Sequence, residues 1–265
     1  MPDTLLLDRK CGALHVTLNR PELRNAMSLA MVAELLDALG DAERSGDRAI
    51  VLRGAGGHFC SGGDIKDMGA AQDKPVAPGG PDPVAEVNAR FGELCAAYAS
   101  TGLPVVAVVE GAVMGGGFGL ACVADVVIAD ESALFRLPET GLGLVPAQIA
   151  PFLVERLGYS EARRLAVTGG RIDARRALSL GLVHELCAGE GALDKALAAT
   201  LDQIRLGAPG AIAATKRLIR RARLADASAL IPEAADMFAR AARGPEGAEG
   251  LTAFLEKRKP RWAEG

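Results

Sequence analysis

Two glycine-bearing stretches and one carboxylate downstream of them carry the chemistry this chain could do. They read His58-Phe59-Cys60-Ser61-Gly62-Gly63-Asp64-Ile65-Lys66, Gly111-Ala112-Val113-Met114-Gly115-Gly116-Gly117 and Phe135-Arg136-Leu137-Pro138-Glu139. Each glycine segment closes a predicted strand, and a turn without Cβ atoms lets a ligand approach main-chain N–H groups. Two such donors can hold the negative oxygen of an enolate. The second segment opens a predicted helix, where unpaired N–H groups and the helix dipole favour negative charge. It is a poor nucleotide loop, because Leu120 stands where Gly-x-Gly-x-x-Gly needs its third glycine and no Walker lysine follows. Glu139 follows a short apolar run and a proline, surroundings that desolvate a carboxyl, raise its pKa and suit it to moving protons. From position alone, a tight turn at Gly62-Gly63 and a surface glutamate at 139 are the commoner cases.

Alternation over residues 12–18 places Leu14, Val16 and Leu18 on one side and His15 and Thr17 on the other, the pattern of a half-buried strand. Ser28 caps a predicted helix with Leu29, Val32, Leu36 and Leu39 at helical spacing, and Gly46 lets the chain leave it. Residues 49–52 form a buried strand running into the first glycines. The stretch 73–83, rich in Pro, Gly and Ala, reads as a mobile loop of the kind that covers a site. A helix over 84–99, an apolar strand over 105–109, the glycine-opened helix and a strand over 126–129 repeat the order strand, glycine turn, helix, which implies a layered α/β core. Beyond Ile149 the chain turns helical, with residues 182–186 as the one short strand candidate. The final helix, about 247–259, carries Leu251, Phe254 and Leu255 on one face.

The chain has 265 residues, 49% hydrophobic and 24% charged, which suits one large core with an appended helical segment. With aromatics at 4%, packing relies on Ala, Leu and Val. The net charge of −3, from 30 basic and 33 acidic side chains, gives no global pull toward nucleic acid or an anionic membrane, so a phosphate-bearing ligand needs local lysines and arginines. Five cysteines without a Cys-x-x-Cys pair argue against a disulfide framework or a zinc site and fit a reducing cytoplasm. The acidic, non-basic start and the absence of a long apolar run predict neither a signal peptide nor a membrane helix.

Other reactive side chains have plainer readings. Cys60 lacks a His–acid pair and reads as a small buried thiol, and His58 as a solvent-facing loop residue that could touch a phosphate. His15 and His184 form no ligand pair, so no metal is expected. Gln148 either faces an acyl pocket or satisfies a helix start. Arg136 could pair a substrate carboxylate, although a surface salt bridge is the commoner fate. The pairs Arg163-Arg164, Arg175-Arg176 and Arg220-Arg221 sit among acids without aromatic stacking residues and read as solvated helix faces.

The ordered set resembles the enoyl-CoA hydratase/isomerase, or crotonase, superfamily. The likeness begins at Asn19-Arg20-Pro21-Glu22-Leu23-Arg24-Asn25-Ala26-Met27, runs through both glycine segments and Glu139, and ends at Phe254-Leu255-Glu256-Lys257-Arg258. It implies an α/β spiral of ββα turns over residues 1–195 and a helical oligomerisation region over 196–265, assembling as a trimer or a dimer of trimers. It implies that Gly63 and Gly116 supply the donors for a thioester oxygen and that Glu139 moves the proton. Arg24, Ala26, Gly62, Asp64, Ile65 and Lys66 resemble positions that hold coenzyme A, joined by Phe254 and Lys257, in some members across a subunit boundary. Coenzyme A enters as part of the substrate, and no other cofactor is implied.

One departure stands out: Gly119 occupies the place where two-glutamate hydratases carry their first carboxylate. Three readings follow. Glu139 alone hydrates a branched or carboxylated acyl group admitted by the space at Gly119, or it shuttles a proton as an isomerase, or the chain binds CoA esters without turnover. The first is preferred, because the stretch 135–151 is similar to hydratases of 3-branched glutaconyl-CoA esters, of the isohexenyl and methyl types, which implies leucine or acyclic-terpene breakdown.

Overall fold

The structure, a computed structural model, describes residues 4–76 and 78–264. Met1 to Asp3 and Ala77, part of the predicted N-terminal and 73–83 segments, lie outside the described residues.

The chain enters through β1 (Leu5–Lys10) and β2 (Ala13–Leu18), followed by a 3-10 turn at Pro21–Leu23 and helix α1 (Leu29–Ser45). Ser28 caps α1 by accepting the Met31 N–H, and Gly46 ends it in the left-handed region, as its residue type predicts. The buried face of α1 runs through Met31, Val32, Leu35, Ala38, Leu39 and Ala42, which leaves Leu29 exposed, contrary to the register read from leucine spacing.

Next come β3 (Ala49–Gly54), α2 (Ile65–Gln72), α3 (Pro83–Ser100), β4 (Val105–Val109), β5 (Ala112–Met114), α4 (Gly116–Val123), β6 (Val126–Asp130) and β7 (Leu134–Arg136). A 3-10 turn over Glu139–Leu142 leads to α5 (Ala150–Thr168), broken at Gly158 by a non-helical backbone. The remainder comprises β8 (Arg171–Asp173), α6 (Ala174–Ser179), β9 (Glu185–Cys187), α7 (Ala192–Leu206), α8 (Pro209–Ala222), α9 (Ala227–Arg243) and α10 (Pro245–Leu255).

A six-stranded sheet in the order β1-β2-β3-β4-β6-β9 is parallel except for the β1/β2 hairpin. A second layer orders β5-β7-β8 and is prolonged by single bridges between Met27 and Gly63 and between Cys60 and Val113. Each turn of the chain therefore leaves one strand in the large sheet and one short piece in the second layer. Both glycine segments lie on that second layer.

The principal core lies between the sheet and helices α1, α3, α4 and α5. The other face of the sheet, with Ala13, Val51, Val106, Val108 and Ile128, is covered by Ala196, Leu197 and Leu201 of α7. With both faces of the sheet covered, β2 is nearly fully buried, His15 included, rather than half-buried. The second cover also places α7, which spans the predicted boundary at 195, with the core. The helices beyond it dock through Lys216, whose Nζ donates to the Leu103 carbonyl and pairs with Asp125, and through Arg48, which donates to the Gly207 and Trp262 carbonyls.

Met237 of α9 is buried, whereas Ile231, Phe238, Leu251, Phe254 and Leu255 stand exposed, Phe254 by 80%. Among the described residues no helix is long and apolar enough to cross a membrane.

Candidate active site

The first glycine turn is held from behind. Met27 donates its N–H to the Gly62 carbonyl (2.8 Å) and accepts the Asp64 N–H (2.9 Å). In this parallel pattern the intervening Gly63 turns its own N–H to the opposite side, where it has no protein acceptor among the described residues. Gly62 makes the turn at φ 107°, a conformation that side chains resist.

The loop behind it is fastened by Asn25, fully buried and itself at positive φ. Its Nδ2 donates to the Ala55 and His58 carbonyls (2.9 and 2.7 Å), and its Oδ1 accepts the Arg20 N–H. Arg20 then reaches with Nη1 to the Ala26 carbonyl (2.6 Å) and with Nη2 to Asp64 (2.7 Å). Sequence alone assigns no role to Arg20 or Asn25. An asparagine beside a tight turn, able to adopt the left-handed region and bond locally, was the available signal.

Asp64 ties the turn to the helix that follows it. Its Oδ1 caps α2 by accepting the Lys66 N–H (2.9 Å), and its Oδ2 pairs with Arg20. Burial pushes the carboxyl up, but the Arg20 guanidinium and the Lys66 N–H outweigh it and hold it below its ordinary value. Both oxygens are engaged within the protein, so the Asp64 side chain braces the turn. Ile65, 79% exposed, and Lys66 project from the first turn of α2, and Arg24 and Ala26 lie on the segment paired with the glycine turn. Arg24 is exposed, whereas the Ala26 carbonyl is taken by Arg20.

The second turn begins α4, a helix apolar on every side and correspondingly buried. Gly115 donates to the Arg136 carbonyl (3.0 Å), and Gly116, as the first helical residue, keeps its N–H free of protein acceptors among the described residues. The two turns are side by side: a Cβ on Gly62 would fall 3.4 Å from the Met114 carbonyl oxygen and 3.9 Å from the Gly115 Cα. Met27, paired by its backbone with Gly63, lays its Cε 3.6 Å from the Cβ position of Gly116.

Glu139 joins this locus. Its Oε1 lies 3.0 Å from where a Cβ at Gly115 would stand, and its Oε2 is buried with no hydrogen-bond partner. Burial drives its carboxyl above the ordinary glutamate value. A desolvated carboxyl group with one oxygen unpartnered, lying against two glycine turns with free amides, is poised to exchange a proton with something the protein does not supply.

At Gly119 the expected open space is filled. It leaves no opening, because a Cβ there would overlap Cγ2 of Ile149 and lie 3.4 Å from Cζ of Phe91. Gln148 does not satisfy the helix start: its Nε2 donates to Asn88 on α3 (2.8 Å), its Oε1 packs against Gly92, and Ile149, not Gln148, stands at the helix start.

His58 is half-buried and accepts the Ala112 N–H at Nδ1, so it joins the two glycine segments and is not a free loop residue. Cys60 is buried, its thiol pushed up to about 12 by burial, which makes it inert. Arg136 finds the Gly169 carbonyl instead of an acidic partner. Phe254 and Lys257 lie at the C-terminal end of α10, a helix that packs on α9.

Comparison with known proteins places this geometry in a family. The family model described as enoyl-CoA hydratase/isomerase matches residues 8–265. The chain is 31% identical over 258 residues to the 2,3-dehydroadipyl-CoA hydratase of Escherichia coli, covering 97% of each. Among solved structures it resembles an enoyl-CoA hydratase/isomerase from Marinobacter aquaeolei, with 51% identity, a TM-score of 0.95 and coverage of 98% and 99% of the two chains. It likewise resembles Pseudomonas aeruginosa AtuE, with 52% identity, a TM-score of 0.93 and coverage of 98% and 100%. A match over nearly the whole sequence, a shared mixed α/β fold with a helical C-terminal region, and two free glycine amides beside a desolvated glutamate agree: the chain belongs to the enoyl-CoA hydratase/isomerase family.

Proposed function

We propose that this hydratase-type enzyme adds water to an α,β-unsaturated acyl-CoA whose acyl group is a 3-branched glutaconyl unit, of the isohexenyl or methyl type. The observation that carries the proposal is the single carboxyl group of Glu139 beside Gly115, buried with its Oε2 unpartnered, with Ile149 filling the place at Gly119. The thioester oxygen docks on the N–H groups of Gly63 and Gly116, which lowers the energy of the enolate-like state. Glu139 orients water toward Cβ and delivers its proton to Cα. With no second carboxylate at 119, the distal carboxylate of the substrate itself takes part of the task of holding that water. The name of the Escherichia coli relative supports a dicarboxylic acyl group, since a dehydroadipyl thioester also carries a distal carboxylate.

Coenzyme A enters with the substrate, and the reaction as written uses no metal, flavin or nicotinamide. Ile65, Lys66 and Arg24, exposed around the first turn, are the side chains offered to it. The uncovered apolar side chains of α9 and α10 support self-association as a trimer or a dimer of trimers, which would bring Phe254 and Lys257 of one copy to another copy's site.

Incubation with 3-methylglutaconyl-CoA or isohexenylglutaconyl-CoA tests the proposal, the expected product gaining the mass of one water. A product of unchanged mass with a moved double bond would establish isomerisation instead, and binding without any product would establish a non-catalytic role. Hydration of crotonyl-CoA at an equal rate would remove the part given to the distal carboxylate.

A further inference from the structure

We infer that Gln148 and Ile149 form a wedge that selects the acyl group, with Ile149 as the specificity-determining residue; the inference rests on reading the site as an acyl thioester site. The two residues follow the Glu139 turn and are seated in glycine notches on two different helices. A Cβ at Gly119 of α4 would overlap Cγ2 of Ile149 and stand 3.3 Å from its Cβ. A Cβ at Gly92 of α3 would overlap the Gln148 amide, whose Nε2 is bonded to Asn88 one helical turn earlier. Asn88, Phe91 and Gly92 share one face of α3.

That face also closes over the oxyanion helix. Phe91 Cζ lies 3.2 Å from a Cβ built at Gly116 and 3.4 Å from one built at Gly119. Gly116 and Gly119 are three residues apart and so lie on one face of α4. An acyl group whose thioester oxygen rests on the Gly116 amide therefore meets Glu139 on the Gly115 side and a wall of Phe91 and Ile149 on the other. Ile149 is only 3% exposed and its β-branched side chain is stiff, so it presents a fixed surface. Gln148 holds the wedge in place through α3.

Saturated acyl-CoA thioesters of graded chain length test this, because they bind without turnover and so do not depend on hydration. Dissociation constants and melting temperatures are measured for the wild type, Ile149→Val, Ile149→Ala, Gly119→Ala and the Gly119→Ala/Ile149→Ala double variant. The expected result is that Ile149→Ala raises the preference for octanoyl-CoA over butyryl-CoA by about 10-fold or more, the scale for removing methylenes from an apolar pocket, with Ile149→Val shifting it less in the same direction. Gly119→Ala should weaken every thioester and lower the melting temperature, and the double variant should recover both. A chain-length ratio unchanged within about 2-fold in both Ile149 variants, whatever their melting temperatures, would overturn the inference. Failure of the wild type to bind any thioester would instead overturn the reading of the site on which the inference rests.

Discussion

Gly117 of the second turn lies against Cys60 of the first so closely that no side chain fits between them. A Cβ at 117 would stand 2.7 Å from both the Cys60 Cβ and the Cys60 carbonyl oxygen. The backbone of Cys60 also accepts the Met114 N–H and donates to the Ala112 carbonyl, so the two turns form one rigid piece. The spacing of the Gly63 and Gly116 amides is thus fixed by packing before any ligand arrives.

Substituting Gly117→Ala should therefore separate the amides without touching Glu139. Loss of one donor's alignment corresponds to about 3–4 kcal/mol of transition-state stabilisation, so kcat should fall by about 10² to 10³. Steady-state kinetics, with circular dichroism to establish that the variant folds, check this.

Glu139→Gln keeps the shape and removes the proton carrier, and kcat should fall about 10²- to 10⁴-fold. Burial holds the Glu139 carboxyl above its ordinary value, so the acid limb of kcat/KM in the wild type should lie above the glutamate norm of about 4.3. The stability effect has a definite sign. A raised folded-state pKa contributes stability below the unfolded value and loses it as pH rises through the folded one. The glutamine variant should therefore lose less stability than the wild type between acid and neutral pH, read by urea denaturation at a series of pH values.

Asp64→Ala removes the cap of α2 and leaves the Arg20 guanidinium without its partner. Breaking a largely buried pair costs about 3 kcal/mol, whereas Asp64→Asn retains a capping side chain and should cost less. The Asp64 carboxyl is held below its ordinary value, so its contribution is present above the unfolded pKa and is lost as pH falls through the folded one. Denaturant midpoints at pH 7 and pH 3 for the two variants check both statements.

His15 is buried with Nε2 unpartnered, and burial, with help from Lys10 and Arg53, holds its pKa down. Its neutral form is favoured on folding, so stability should be lost as pH drops below the unfolded histidine value of about 6.5. His184, which accepts the Val127 N–H and whose pKa is likewise lowered by burial, adds to the same slope. Thermal melts at pH 7.5 and 5.5 should show a smaller loss in His15→Leu than in the wild type.

Much of this architecture is legible in the chain because local chemistry sets it. Ser28 and Gly46 bound α1, and apolar runs mark β3, β4 and β6, where hydrophobic residues cluster without interruption. The two glycine turns and Glu139 could be listed from residue type, and the family resemblance joined them. What could not be read depends on partners distant in sequence. The second face of β2 is covered from afar, since Ala13 joins a cluster with Ala196, Leu197 and Leu201 of α7, about 180 residues later. β8 is three residues long and carries two charged side chains, so it leaves no alternation to detect. The fate of Asp64 was decided by Arg20, and that of Gly119 by Ile149, neither of which signals from its own position. A glycine in sequence looks like space, and in the fold it was a notch already filled.

The central claim is tested most directly by a crystal structure of Glu139→Gln with a bound unsaturated acyl-CoA. The expected result is a thioester oxygen within about 3 Å of both the Gly63 and Gly116 nitrogens, with the residue 139 side chain facing the acyl Cα. A thioester oxygen bound away from either amide, or a residue 139 side chain outside the cavity that holds the acyl group, would contradict it.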